Sequence, residues 1–213
     1  MNSESTKSDS NACLRILLVH GLGSHRVFMW PLAWYLTRNG FVVTNFGYRS
    51  FWRSIEYHAQ SLTEEFDRLQ CDPSVDSFAV VGHSMGGIIT RQAILNGGNS
   101  GSFSKLKRVV QLGSPNHGSP AARRLGYLLP FCKTLCQISD APDSFVNRLP
   151  PPEGDVEFGV IAGQYDLVVS KRSSHLSTEK DHVSIFSGHN GLLVRPRVLK
   201  QVSEFLTYGR FSK

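Results

Sequence analysis

Val80-Val81-Gly82-His83-Ser84-Met85-Gly86-Gly87 is the stretch that decides the fold. Phe78-Ala79-Val80-Val81, leading into it, is a short apolar run with β-branched residues, the pattern of a strand covered on both faces. Ile88 to Leu95, beyond it, has helical spacing. Between them Gly82, Ser84 and Gly86 fit the pattern G-x-S-x-G, a strand-to-helix turn that carries a serine at its apex. The turn is so sharp that side chains two positions either side of the serine would strike neighbouring backbone. Glycine removes that clash and tolerates unusual φ/ψ. The hydroxyl is pushed out at the carboxyl end of the sheet, where a base can reach it. A pentapeptide of this kind also occurs in glycine-rich turns with no chemistry. The strand before it and the helix after it favour the reactive turn.

Working outward, the chain alternates strand and helix. Strands are expected at Cys13–Val19, Phe41–Phe46, the run before Ser84, Leu106–Leu112, Val156–Ala162 and Val183–Phe186. Helices are expected at Phe28–Arg38, stopped by Asn39-Gly40, at Ile55–Leu69, after Ser84, and at Pro196–Leu206. This alternation predicts an α/β fold, a mostly parallel sheet of about six strands with helices on both faces. Residues 115 to 154 are rich in proline, interrupted and moderately apolar, and too long for a plain connection. They are expected to form a small cap of helical excursions over the carboxyl end of the sheet. The expected organisation is a disordered tail over 1–12 and a single domain over 13–213.

Composition narrows the class. The chain has 213 residues, 40% hydrophobic and 19% charged, which suits a globular domain with a sizeable core. No apolar run is long enough to span a membrane. The polar, serine-rich start lacks the apolar stretch of a secretory signal, so the expected location is cytoplasmic; a signal already removed is compatible with the same sequence. The net charge of +6 could draw the protein to anionic lipid or anionic substrates. The basic residues are scattered and no nucleic-acid-binding motif is present, so a solvated basic surface is favoured and no nucleic-acid partner is expected. The expected state is a monomer. Of the four cysteines, Cys132 and Cys136 read as core-packed thiols rather than a disulfide, and Cys13 and Cys71 have no evident partner.

A serine hydroxyl is a poor nucleophile until a base takes its proton, so Ser84 predicts a histidine and an acid on other loops at the same sheet end. Asp166 directly follows the fifth strand. Asp155 lies before that strand, Asp140 and Asp143 lie in the cap, and Asp181 precedes the last strand, so Asp166 is the chosen acid. His189 follows the last strand and is the chosen base. His182 begins that strand and points to the wrong end. His58 lies within a helix as a surface or packing residue, and His175 lies on a polar, solvated loop. His20, His25, His83 and His117 fall on the wrong loops for the base, with His83 read as packing beside the turn. Two N–H donors should face the oxygen that gains charge in the reaction. Met85, at the start of the helix, and Leu22, in the glycine-flanked loop His20-Gly21-Leu22-Gly23, fit that oxyanion hole. Gly21, His25, Phe28 and His117 are candidate substrate-pocket residues. No histidine–carboxylate cluster has ligand spacing, so neither a metal nor a cofactor is expected.

On these residues the chain resembles the α/β hydrolases of the bacterial lipase and esterase group. The likeness is carried by 20–23, 82–87, 163–169 and 188–193, with the loop 112–120 adding to it. It implies hydrolysis of a carboxylic ester, a small-molecule acyl ester or lipid, through an acyl-enzyme on Ser84. Ser84, Asp166 and His189 come in the chain order that accompanies this fold. The chain departs from larger members in lacking their first two strands and a long lid, which predicts action on short or medium acyl chains. An acyltransferase or thioesterase would use the same three residues, and a silent binding protein on this fold would need none of them.

Overall fold

The computed structural model describes residues 14–97 and 103–212. The expected tail over 1–12, Cys13 and Gly98 lie outside the described residues. In chain order the elements are β1 (Leu14–Val19), α1 (Trp30–Arg38), β2 (Val42–Phe46), α2 (Ile55–Cys71), β3 (Ser77–His83), α3 (Met85–Asn96) and β4 (Leu106–Leu112). There follow α4 (Pro120–Leu128), α5 (Lys133–Gln137), α6 (Phe145–Arg148), β5 (Glu157–Gly163), α7 (Lys171–Ser174), β6 (Glu179–Ile185) and α8 (Pro196–Tyr208). A short 3-10 turn, Arg26–Met29, precedes α1.

The six strands form one sheet in the order β2-β1-β3-β4-β5-β6. Every neighbouring pair is parallel. All loops that leave a strand's carboxyl end therefore emerge on one side of the molecule. The order reverses between β1 and β3, and such a switch point leaves a crevice where ligands bind.

Alternation along the strands feeds two cores. Leu17, Val19, Phe78, Val80, Val109 and Val160 face α2 and α3. Ile16, Leu18, Ala79, Val81, Val110 and Ile161 face α1 and α8. Successive strand residues point to opposite faces, so apolar runs without alternation require helices on both. The excursion between β4 and β5 adds Ala122, Cys132, Leu135, Ile138, Val146 and Leu149 to the α2–α3 side. Helix α3 is buried nearly all round because it lies under both α2 and this excursion. Helix ends follow local chemistry. The Ser119 hydroxyl accepts from Ala122 N–H at 3.1 Å just before Pro120 opens α4. Gly209, with φ +66°, ends α8 in the left-handed region.

Three expectations need correction. β6 begins at Glu179, so Asp181 and His182 lie inside the strand rather than at its threshold. Its first half is polar and gives no apolar signal; backbone pairing of Asp181 with Gly159 and of His182 with Val160 makes it a strand. Cys136 is exposed, and of the pair only Cys132 is core-packed. Helix α7, capped by Ser170, occupies what read as a polar loop. His175 follows it and bonds Glu179 at 2.6 Å instead of being simply solvated.

Candidate active site

Ser84 sits between the last residue of β3 and the first of α3, with φ +54° and ψ −126°. It is the one non-glycine residue at positive φ among the described residues. Such a conformation costs about 1–3 kcal/mol and persists only where surroundings enforce it. Ser84 N–H donates to the Leu112 carbonyl at 2.9 Å, and Gly87 N–H returns to the Ser84 carbonyl at 3.1 Å. A Cβ on Gly82 would lie 2.6 Å from Gly87 N, and one on Gly86 would run into the Val19 carbonyl oxygen. The two glycines are thus required by contact: one by the helix folding back on the strand, the other by the helix crossing the end of β1.

The neighbouring strand ends continue the row. Gly113 N–H donates to the Ile161 carbonyl at 2.9 Å, and Gln164 N–H to the Ile185 carbonyl at 2.8 Å. This lines up the exits of β3, β4, β5 and β6. Asp166 leaves β5 and His189 leaves β6, and His189 Nδ1 lies 2.7 Å from Asp166 Oδ2. The other carboxylate oxygen accepts from Val168 N–H and Val169 N–H, each at 2.8 Å. Gly113 forms the floor, since a Cβ there would be 3.1 Å from Asp166 Oδ2 and 3.3 Å from His189 Nδ1. The His83 ring lies 4.8 Å from the His189 ring, which brings His189 beside the turn that bears Ser84.

On the other side of Ser84 runs the loop after β1. Gly21 packs so close that a Cβ would stand 2.9 Å from Ser84 Cβ. Leu22 follows it, half-buried, and Met85 opens α3 with its side chain buried. Gly23 N–H donates to Ser50 Oγ at 3.1 Å, and the Tyr48 hydroxyl donates to the His20 carbonyl. His20 and Tyr48 stack, 4.1 Å between centroids. Burial lowers the His20 pKa, so the ring stays neutral at pH 7.

A hydrolase family model described as serine aminopeptidase, S33, matches residues 10–113. The mature form of lipase BlEst2 from Bacillus licheniformis is similar in structure, with a TM-score of 0.70 at 14% identity, over 96% of this chain and 95% of that one. Its propeptide form gives 0.78 at 16% identity over 99% of this chain and 54% of that one, so the chain spans about half of that form. The esterase Pf2001 from Pyrococcus furiosus gives 0.65 at 16% identity over 92% of this chain and 83% of that one. The chain has the α/β-hydrolase fold. No curated protein matches it by sequence.

Within this α/β-hydrolase fold, several neighbours of the site carry no signal in the sequence. His83 is buried, and its Nε2 lies 3.3 Å from the His189 carbonyl oxygen. A carbonyl only accepts, so Nε2 carries the proton. Burial, then the nearby His189, lower the His83 pKa to about 3. It is a neutral anchor for the loop of His189 and more than packing beside the turn. Tyr48 and Ser50 brace the loop of Leu22 from the far side of β1, a contact that neither spacing nor composition announces. His25 and Phe28 are exposed on that same loop. His117 is not drawn to the serine: it lines a cavity of about 200 Å³ with Arg91 and Asn116 that none of Ser84, Asp166 and His189 lines.

Among the described residues one histidine–carboxylate group does come together, His175, Glu179 and His182, with ligand atoms within 4.8 Å of one another. The sequence reading expects no such group; β6, starting at Glu179, brings His182 back beside His175. The two rings stack at 3.9 Å and 15°, and Glu179 already bonds His175 Nδ1 and Leu176 N–H. Near-parallel planes that far apart cannot both contain one ion without ring rotation. No helix among the described residues is long and apolar enough to cross a membrane.

Proposed function

We propose that the chain is a serine hydrolase that cleaves carboxylic esters through an acyl-enzyme on Ser84. The observation that carries this is the 2.7 Å contact of His189 with Asp166 beside the strained serine turn. Ser84 Oγ attacks the ester carbonyl carbon while His189 takes its proton. The tetrahedral oxyanion accepts from Leu22 N–H and Met85 N–H. The C–O bond to the alcohol then breaks, and His189 hands the proton to the departing oxygen. Water repeats the sequence on the acyl group, giving up a proton to His189 and releasing the carboxylic acid and the free serine. Asp166 holds the imidazole in the orientation that this transfer needs.

The family description raises amide cleavage at a free amino terminus, which would need a carboxylate to hold the substrate's ammonium. The loops after β1 and β2, residues 20–29 and 47–54, contain Arg26, Arg49 and Arg53 and no acidic residue. That favours an acyl ester, as do neighbours named as lipase and esterase. Residues 115–154 serve as the cap over this site, within one domain that begins near residue 13.

Contact with anionic lipid belongs to the same reading. Among the described residues, the exposed large apolar side chains other than Trp34, Val42, Tyr208 and the α4 residues Leu125, Tyr127 and Leu128 lie on segments behind strand ends or on the first turns of the helices that follow. Leu167 is 93% exposed and Trp52 78%. Phe51, Trp52 and Phe131 share a hollow of about 310 Å³ with Arg53 and Lys133. An apolar face rimmed by basic residues suits an anionic surface.

A fluorophosphonate probe tests the chemistry. It should label the wild type and spare Ser84→Ala; absent labelling, or labelling that survives the substitution, overturns the proposal. Rates on p-nitrophenyl esters from acetyl to palmitoyl would then give the chain-length preference.

A further inference from the structure

Arg91 lies on α3, about two turns beyond Ser84. It is only 2% exposed. Among the described residues no carboxylate pairs with it. Its guanidinium donates to neutral acceptors instead: to Asn116 Oδ1 at 3.0 Å, to the Leu149 carbonyl at 3.0 Å and to the Pro150 carbonyl at 3.1 Å. The third nitrogen, Nε, is buried without a partner. Burial lowers the pKa to about 10, which leaves the group a cation at pH 7. A buried charge without a counter-ion is a standing cost to the fold.

The same arginine lines the cavity of about 200 Å³ that holds His117. His117, Asn147 and Ser177 bring polar groups to its wall, and Leu149, Pro151 and Leu176 supply apolar surface. No acidic residue lines it. A cation, hydrogen-bonding groups and aliphatic carbon in one lining describe the complement of a small amphipathic anion.

We infer that this cavity binds a short aliphatic carboxylate, its oxygens against Arg91 and its alkyl tail against Leu149 and Leu176. The ligand supplies the counter-ion that the described residues do not. The site is separate from Ser84 and stands whether or not Ser84 is a nucleophile. It has a route to that region, however. Asn116, which accepts from Arg91, also donates to the Ser174 carbonyl at 2.8 Å, on the segment that follows Asp166. An occupied cavity would tie α3 more firmly to that segment.

Thermal unfolding of the whole chain at pH 7 in sodium butyrate, sodium phosphate and sodium chloride of equal ionic strength tests this. Butyrate at about tenfold its dissociation constant should raise the midpoint by about 3 °C over chloride. Ser84→Ala should show the same rise. Ser177→Asp puts a fixed carboxylate on the wall at an exposed position. It should raise the midpoint in chloride and remove the butyrate response. Arg91→Met, provided circular dichroism shows it folded, should not respond. Equal midpoints in butyrate and chloride would overturn the inference, as would a response that survives Ser177→Asp. A response lost in Ser84→Ala would move the ligand to the serine. A phosphate response equal to that of butyrate would make this a site for any oxyanion and overturn the carboxylate assignment.

Discussion

His189 Nδ1 lies 2.7 Å from Asp166 Oδ2, while the second oxygen of that carboxylate is held by the N–H groups of Val168 and Val169. One oxygen is therefore free to orient the imidazole because the other is fixed by the turn behind β5. Asp166→Asn keeps an acceptor for the two N–H groups but turns an amide donor toward His189. The imidazole must then accept at Nδ1 and carry its proton at Nε2, where it can no longer serve as a base. The expected loss is about 10⁴-fold in kcat with little change in KM. Steady-state rates on a soluble p-nitrophenyl ester would measure it, and a loss below tenfold would remove Asp166 from its proposed role.

Ser84 at φ +54° stores strain that glycine would not carry. Ser84→Gly should abolish turnover and yet stabilise the fold by about 1 kcal/mol, roughly 2–4 °C in the unfolding midpoint. Gly86→Ala should do the opposite, because its Cβ meets the Val19 carbonyl oxygen on a strand that cannot retreat. We expect more than about 4 kcal/mol of destabilisation or no soluble protein at all. Calorimetry on the three proteins checks both signs.

His58 and His83 set a pH dependence. Burial, then the charges of His20 and Arg53, lower the His58 pKa to about 4. His83 is lowered to about 3. Unfolded, both titrate near 6.5. Above that pH they are neutral in both states and contribute no dependence. As pH falls below 6.5 the unfolded chain takes up protons that the folded chain refuses, so stability falls with pH. Between pH 6.5 and 5, above the carboxylate range, each should account for about 1.5 kcal/mol. Urea unfolding at the two pH values measures the slope, and His58→Gln should reduce it.

The exposed apolar face predicts lipid contact. Trp52→Ser and Leu167→Ser should each weaken sedimentation with phosphatidylserine-containing vesicles several-fold, while Val42→Ser and Tyr208→Ser, at the other end of the sheet or away from the face, should not. Binding should fall with added salt. Equal binding by all four variants would separate lipid contact from this face.

The strand at Leu106–Leu112 is legible to the residue, because Val109, Val110 and Leu112 form a buried β-branched and apolar stretch that Gly113 ends, with Lys107 and Arg108 only at its outer start. The start of β6 is not: Glu179 to His182 are polar, and only pairing with β5 makes them a strand. The same polar start hides the cluster of His175, Glu179 and His182. Gly82, Ser84 and Gly86 were readable because one local turn imposes all three. Asp166 and His189 are legible from their places directly after the fifth and last strands, but their 2.7 Å contact depends on how β5 and β6 pair.

What this sequence determined by itself is therefore whatever a local rule dictates: the alternation of strand and helix, the parallel sheet that alternation requires, and the serine turn with its glycines. Tertiary structure decided what lies between elements distant in the chain. It put Tyr48 and Ser50 behind the loop of Leu22, His83 under the carbonyl of His189, His117 in a cavity away from the serine, and Arg91 in the core with no carboxylate partner among the described residues. The physical reason is range. Backbone sterics and side-chain periodicity act over a few residues and leave a pattern in the sequence. Burial and hydrogen bonding between remote segments depend on the packed geometry, and no spacing along the chain encodes them.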